Sequence, residues 1–365
     1  MNKSKLYLSL LFGWLLFGAL SLSITSCSDD DDDNTPTITA DKTKLSALID
    51  STTAVHNAAV EGSKPGNYST GSKATFKTAI DAATATKNDA SATQATVNTA
   101  EASLRRAAKT FQNSLVQEVS AANLVAQWKF EGNANDATAN GNNGTLMAGI
   151  INDPSTTTPT KMMGTTQPVL VADRFGRPNQ AYAFDKGAYI EVPYKAALNP
   201  QAITISAWVK RNGTNADNYI VSLNRWQGYK FQLQGANKPF LTVATTTGIT
   251  DKDAESGEVA DATWTHVVSS YVDGTMKFYI NGALVKTWTG ITGALKATPK
   301  PIPLVIGQQL PNSIWDSAAP AGEAADYFKF YGQSFFIGSL DDIRIYNRAL
   351  TDAEVNSIYT IENSL

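Results

Sequence analysis

A mainly β fold, an antiparallel sandwich or jelly roll preceded by a small three-helix bundle, is what the 365-residue sequence predicts, and three observations predict it. From Asn123 onward short alternating runs recur every 8 to 15 residues, and all the tryptophans beyond Trp14 fall there. Between Asp41 and Leu115 apolar residues recur at helical spacing instead. Met276–Ile280, Asn281-Gly282 and Ala283–Trp288 read as a hairpin, because Asn-Gly supplies the positive φ angles of a type I′ turn.

The chain opens on an address. Lys3 and Lys5 precede an apolar run from Leu6 to Leu22, the pattern of a signal peptide over residues 1–26. Ile24-Thr25-Ser26-Cys27 resembles the bacterial lipobox, which implies cleavage before Cys27 and acylation of its sulfur. Several acyl chains at about 0.8 kcal/mol per buried methylene make such an anchor effectively permanent. The run Asp29–Asp33 must stay solvated, because like charges repel, so residues 27–40 are expected to be a tether. The run also resembles the acidic export signal of lipoproteins that glycan-foraging Gram-negative bacteria place on the outer face of the outer membrane.

Residues 41–118 are expected to form the bundle. Leu45, Leu48, Ile49, Thr52, Val55 and Ala59 make the first stripe, Pro65-Gly66 breaks it, and Phe76, Ala79, Ile80 and Ala83 make the second. Ser91-x-x-Gln94 is read as a capping box opening a third helix, along which Val97, Ala100, Leu104, Ala107 and Phe111 keep the period. Leu45-Ser-Ala-Leu-Ile49 and Thr93-Gln-Ala-Thr-Val97 through Leu104 resemble the FIVAR-type repeat of bacterial surface proteins, which implies a spacer. His56 is read as a surface or interhelical residue.

Residues 122–365 carry the strands. Leu124, Ala126, Trp128 and Phe130 alternate with polar residues, and so do Ile203, Ile205, Ala207 and Val209 with theirs. Thr351-Asp-Ala-Glu354 reads as a capping box before one short final helix with Val355 and Ile358 inward.

Composition excludes several function classes. Lys+Arg number 30 against 33 Asp+Glu without a basic stripe, which argues against a nucleic-acid partner. A single cysteine, Cys27, excludes an intramolecular disulfide and any Cys-based zinc or iron–sulfur centre, and two histidines, His56 and His266, argue against a multi-histidine metal centre.

In this region Trp128-Lys-Phe-Glu-Gly132, Ile203-Thr-Ile-Ser-Ala-Trp-Val209, Thr263-Trp-Thr-His-Val267, Phe278-Tyr-Ile-Asn-Gly282 and Phe336 through Leu350 follow one another in the order of the LamG-like, concanavalin A-like jelly roll. The resemblance implies two antiparallel sheets with a concave face. It does not by itself give a function, since lectins, adhesion modules and glycosidases share the scaffold.

Glycosidases on this scaffold set two carboxylates across the scissile bond, commonly from a Glu-x-Asp-x-x-Glu run on one strand, and the sequence has no such run. Asp251, Asp253, Glu255 and Glu258 are read as a solvated loop, and His266, alternating with Val268, as a buried structural residue. In Leu340-Asp-Asp-Ile-Arg-Ile-Tyr346, Asp341 is assigned the parity of Ile343 and Ile345, so it would face an apolar side and need a cation or several donors. The resemblance implies one structural Ca²⁺ held by Asp341 with carbonyls near Glu131 or Gly132 and Lys186-Gly187; the alternative is an Asp held by backbone N–H groups.

Sugars bind by stacking C–H faces on flat rings while amides and charged groups take the hydroxyls. Two segments offer such groups: Asn224–Tyr229, with Arg225, Trp226, Gln227 and Tyr229, and the long stretch Gln308–Phe335, with Trp315, Asp316, Tyr327, Phe330 and Tyr331. Tyr229 also begins an alternating set with Phe231 and Leu233 and so reads equally as core. The expectation is a non-catalytic, lipid-anchored surface protein holding a polysaccharide or glycoconjugate. An adhesion module, or less favourably a glycosidase, is the alternative.

Overall fold

A computed structural model describes residues 40–157, 161–213, 217–315 and 335–364. Residues 40–365 belong to one compact unit. Its first part is the helical bundle, α1 Thr43–Ala58, α2 Ser72–Asn88 and α3 Gln94–Asn113. The apolar stripes meet as expected, with Leu45, Ile49, Phe76, Ile80, Val97, Leu104 and Phe111 buried in one cluster. Phe76 and Tyr68 both stack on Phe111, at 4.4 and 4.2 Å between ring centres. The expected Ser91–Gln94 box does not form. Thr93 caps α3, its hydroxyl accepting from Thr96 N, while the Gln94 amide oxygen accepts from Asp41 N at the start of α1.

The strands, in chain order, are β1 Leu124–Trp128, β2 Thr145–Met147, β3 Ile150–Asn152, β4 Lys161–Met163, β5 Val169–Val171, β6 Ala181–Phe184, β7 Tyr189–Val192, β8 Ile203–Arg211 and β9 Asp217–Leu223. They continue as β10 Tyr229–Gln234, β11 Lys238–Thr245, β12 Gly248–Asp253, β13 Thr265–Val272, β14 Gly274–Ile280, β15 Ala283–Ile291, β16 Leu304–Ile306 and β17 Gly338–Tyr346. Among the described residues one sheet runs β15-β14-β13-β8-β17-β6-β5, with β1 added on β17, and the other β12-β11-β10-β9-β16-β7-β2. The strand pairs are antiparallel, and β3–β4 is a separate ribbon. This is the two-sheet antiparallel sandwich the alternation predicts.

Alternate residues of both sheets fill the space between them, among them Trp128, Tyr229, Phe231, Tyr271, Phe278 and Phe336. Each such ring stabilises the fold by about 1.5–3 kcal/mol through the apolar surface it removes from water. The β14–β15 hairpin turns on Asn281 and Gly282, with φ of 48° and 76°. The final helix, α4 Asp352–Glu362, is closed by the predicted box: Thr351 Oγ1 accepts from Glu354 N, and the Glu354 carboxylate accepts from Thr351 N.

Helix α4 packs Val355 and Ile358 against Val268, Tyr279 and Tyr346 on the eight-stranded sheet. Its other side receives the bundle. Ser69 Oγ donates to Asn356 Oδ1 at 2.8 Å, and Gln117 N donates to Ser357 Oγ at 2.8 Å.

Candidate functional site

Strand β10 sends Tyr229, Phe231 and Leu233 into the core, so Lys230, Gln232 and Gln234 project from the outer face of the seven-stranded sheet. Register extends this face in two rows. Asp251, Thr242, Lys230, Ser222, Val305 and Glu191 lie directly across successive strands, and beside them run Asp253, Phe240, Gln232 and Tyr219. A 3₁₀ turn, Arg225–Gln227, adds Arg225 and Trp226 at the β9–β10 corner; Asn224 and Arg225 enter it with φ of 55° and 47°.

The cations are set against rings. The Arg225 guanidinium lies 4.2 Å from the Trp226 ring centre, and Lys230 Nζ lies 5.0, 5.4 and 5.8 Å from those of Phe240, Tyr219 and Trp226. Amides complete the cluster: Lys230 Nζ donates to Gln232 Oε1 at 2.9 Å, Gln232 Nε2 donates to Asp217 Oδ1 at 3.1 Å, and Arg225 donates to Gln309 Oε1. Burial depresses the Lys230 ammonium to about 8, Asp251 and Asp217 opposing the shift and Arg225 adding to it. Lys230, Gln232, Ser222 and Arg225 are buried, while Trp226, Gln227 and Phe240 are half-buried.

Of the residues expected here, Arg225 and Trp226 are brought together. Tyr229 is corrected: it points into the core between the sheets, its hydroxyl donating to Leu198 O at 2.8 Å, and so away from the face that carries Lys230. Trp315 ends a short helical turn, Asn312–Trp315, and its side chain lies outside the described residues, as do Asp316, Tyr327, Phe330 and Tyr331. Cys27, the leader and the acidic run also lie outside them. Asp251 and Asp253 are strand residues of β12, not a loop, and the Thr242 hydroxyl donates to Asp251. Lys230, Gln232 and Phe240 were not singled out, although the alternation from Tyr229 to Gln234 places the first two opposite the core.

The expected calcium position does not fit the ion. A bulge at Asp342, with φ of 43°, resets the parity of β17, so that Leu340, Ile343 and Ile345 are inward while Asp341 turns to the outer face under α4. There Arg174 supplies the cation, its Nη1 2.7 Å from Asp341 Oδ2 and its Nη2 2.9 Å from Asp342 Oδ2. A dication cannot share that position with a guanidinium. Glu131 is exposed, and the space over Gly187 is filled by Ile151, whose Cγ2 lies 2.5 Å from where a Cβ would stand.

The same pocket under α4 assembles Ser206, His266 and Glu362, three residues a hydrolase could use. His266 Nε2 lies 2.8 Å from Ser206 Oγ and 3.9 Å from Glu362 Oε2, so serine and carboxylate share one ring nitrogen. A triad needs them on opposite nitrogens, and all three residues are sealed from solvent. Burial, with Arg344 and Arg174 adding to it, holds His266 down at about 3. The arrangement is structural. A groove of about 430 Å³ on the outer face of the eight-stranded sheet, lined by Val169, Ala183, Lys210, Asn212 and Ser339 among others, has Phe184 as its one ring, and that ring belongs to the core. Rings, amides and cations meet instead at the Trp226 corner.

Residues 184–356 match the family described as the concanavalin A-like lectin/glucanases superfamily, and residues 41–112 match the FIVAR domain. Among curated proteins, a gellan lyase of a Bacillus species is 40% identical over 81 residues, 22% of this chain and 3% of that protein. The adhesion G-protein coupled receptor V1 of Danio rerio is 28% identical over 193 residues, 47% of this chain and 3% of that protein. The chain thus spans about 3% of the length of these relatives. Among solved structures, domain 4 of the extracellular GH43 arabinanase AbnA from Geobacillus stearothermophilus, in complex with arabinotriose, aligns with TM-score 0.46 and 20% identity over 65% of this chain and 98% of that one. The binding domain of Paraclostridial Mosquitocidal Protein 1 aligns with TM-score 0.44 and 17% identity over 65% of this chain and 52% of that one.

Proposed function

We propose that this chain, which carries a FIVAR domain and a concanavalin A-like domain, is a non-catalytic carbohydrate-binding protein that takes its glycan on the outer face of the seven-stranded sheet. One observation carries the reading: Trp226, half-buried at the β9–β10 corner, stands beside a face of amides and cations. A ring to stack on and polar groups to orient hydroxyls are what sugar recognition requires. The likeness over 81 residues to an enzyme named for gellan supports a polysaccharide as the ligand.

The leader and the Ile24–Cys27 sequence support anchoring through an acylated Cys27, with outer-membrane lipid as the partner and Asp29–Asp33 as an outward-facing tether. The helices then raise the sandwich from the surface.

A glycan array probed with the full chain tests the reading, with Trp226→Ala alongside. Binding that falls at least about tenfold in the variant, with an unchanged melting temperature, is expected. Turnover of any bound polysaccharide, seen as new reducing or unsaturated ends, would replace the non-catalytic assignment with an enzymatic one.

A further inference from the structure

Around Trp226 the polar groups are unevenly satisfied. The acceptors each carry a donor: Gln232 Oε1 that of Lys230, Asp217 Oδ1 that of Gln232, Asp251 that of Thr242 and Glu191 Oε2 that of Tyr189. Three buried amide donors are unmatched: Asn224 Nδ2, Gln308 Nε2 and Gln309 Nε2 have no hydrogen-bond partner. Their residues are 5%, 1% and 1% exposed. The two glutamines cannot reverse this by flipping, since Gln309 Oε1 accepts from Arg225 and Gln308 Oε1 accepts from Gln309 N.

Enclosed N–H groups without an acceptor are costly, and a natural site holding several in one quarter calls for an explanation. A neutral sugar hydroxyl is a poor one. It brings a donor with every acceptor, into a quarter where the orphaned groups are themselves donors and the charges of Arg225 and Lys230 are positive. A carboxylate or sulfate brings acceptors alone, and Lys230, whose ammonium has no carboxylate within ion-pair distance among the described residues, adds charge complementarity.

We infer that the glycan bound at this face carries an anionic oxygen group, received by the amides of Asn224, Gln308 and Gln309 beside Lys230. The inference rests on the glycan-binding reading and narrows it to acidic polysaccharides.

The test uses the full chain against matched probes: dextran against dextran sulfate, and neutral galactan against polygalacturonate. Binding to one charged member at least about tenfold tighter than to its neutral match is expected, and which one wins separates sulfate from carboxylate. Gln309→Leu removes a donor without altering charge and should weaken that binding about tenfold or more; polyanions held only by surface lysines would not respond to it. Gln308→Met serves as the second variant should Gln309→Leu not fold. Equal binding of charged and neutral members, or acidic binding indifferent to the folded glutamine variant, overturns the inference and leaves the glycan reading standing. Absence of binding to all four overturns both.

Discussion

Arg174 Nη1 lies 2.7 Å from Asp341 Oδ2, and both side chains are 3% exposed, so the carboxylate is neutralised by a guanidinium supplied 167 residues earlier in the chain. The same guanidinium donates to Glu362 O, closing the last turn of α4, and stacks 4.5 Å from the Trp208 ring centre. Arg174→Met therefore strands buried carboxylates and opens the end of the helix. A loss of about 3–5 kcal/mol is expected in urea unfolding at about pH 9, above the value of about 8 to which burial raises Asp341. Calcium or a chelator should leave the wild-type midpoint unchanged.

Two guanidiniums, Arg174 and Arg344, face three carboxylates in this enclosure, those of Asp341, Asp342 and Glu362, while His266 is neutral. Burial raises Glu362 and Asp341 above the ordinary carboxylate range, against the pull of Arg344 and Arg174 respectively. A carboxyl with a raised folded pKa binds its proton more tightly folded than unfolded. Stability is then fully present below the unfolded value, near 4, and falls as pH rises through the folded one. Melting temperature should decline from about pH 5 towards pH 8, and Glu362→Gln should flatten that decline.

Lys230 gives binding its own pH dependence. Its ammonium is depressed to about 8, chiefly by burial, so it loses charge well below the usual lysine range. Affinity for an acidic glycan should fall as pH rises above about 8, and Lys230→Arg should hold it level, since arginine stays charged. Isothermal titration between pH 6 and 9.5 reads the difference.

Tyr229 and Trp226 should separate cleanly. Tyr229→Ala empties a core position and should cost about 3–5 kcal/mol of stability, whereas Trp226→Ala should cost binding with little change in the unfolding midpoint. The reverse pattern would assign the ligand to a different face.

Gly282 is needed twice. Its φ of 76° suits the turn, and a Cβ there would stand 2.9 Å from that of Tyr359 in α4. Gly282→Ala should destabilise by more than about 1 kcal/mol and loosen α4, visible as faster amide exchange along that helix.

Much of the fold was legible because local rules sufficed. Asn281-Gly282 and Thr351-x-x-Glu354 each determine a turn or a cap within four residues, and the bundle stripes hold a single period. The Asp341 assignment failed because strict alternation assumes an unbroken strand, and one residue with positive φ, Asp342, shifts the face of everything before it. Arg174 could not be paired with Asp341 from sequence, since only tertiary structure joins residues so far apart. The candidate face was half legible: Arg225 and Trp226 announce themselves at a turn, but Phe240 and Tyr219 join Lys230 only through the register of β9, β10 and β11.

The bundle's attachment to α4 has a mechanical consequence. Helix α3 is 20 residues long, about 30 Å, and α1 begins at its far pole, where Asp41 N meets Gln94 Oε1, while the α1–α2 loop and the residues after α3 grip α4 through Ser69 and Gln117. The helices are thus a lever arm with a fixed elbow. A pull on the sandwich is delivered to the Ser69–Asn356 and Gln117–Ser357 joint before it reaches the start of α1.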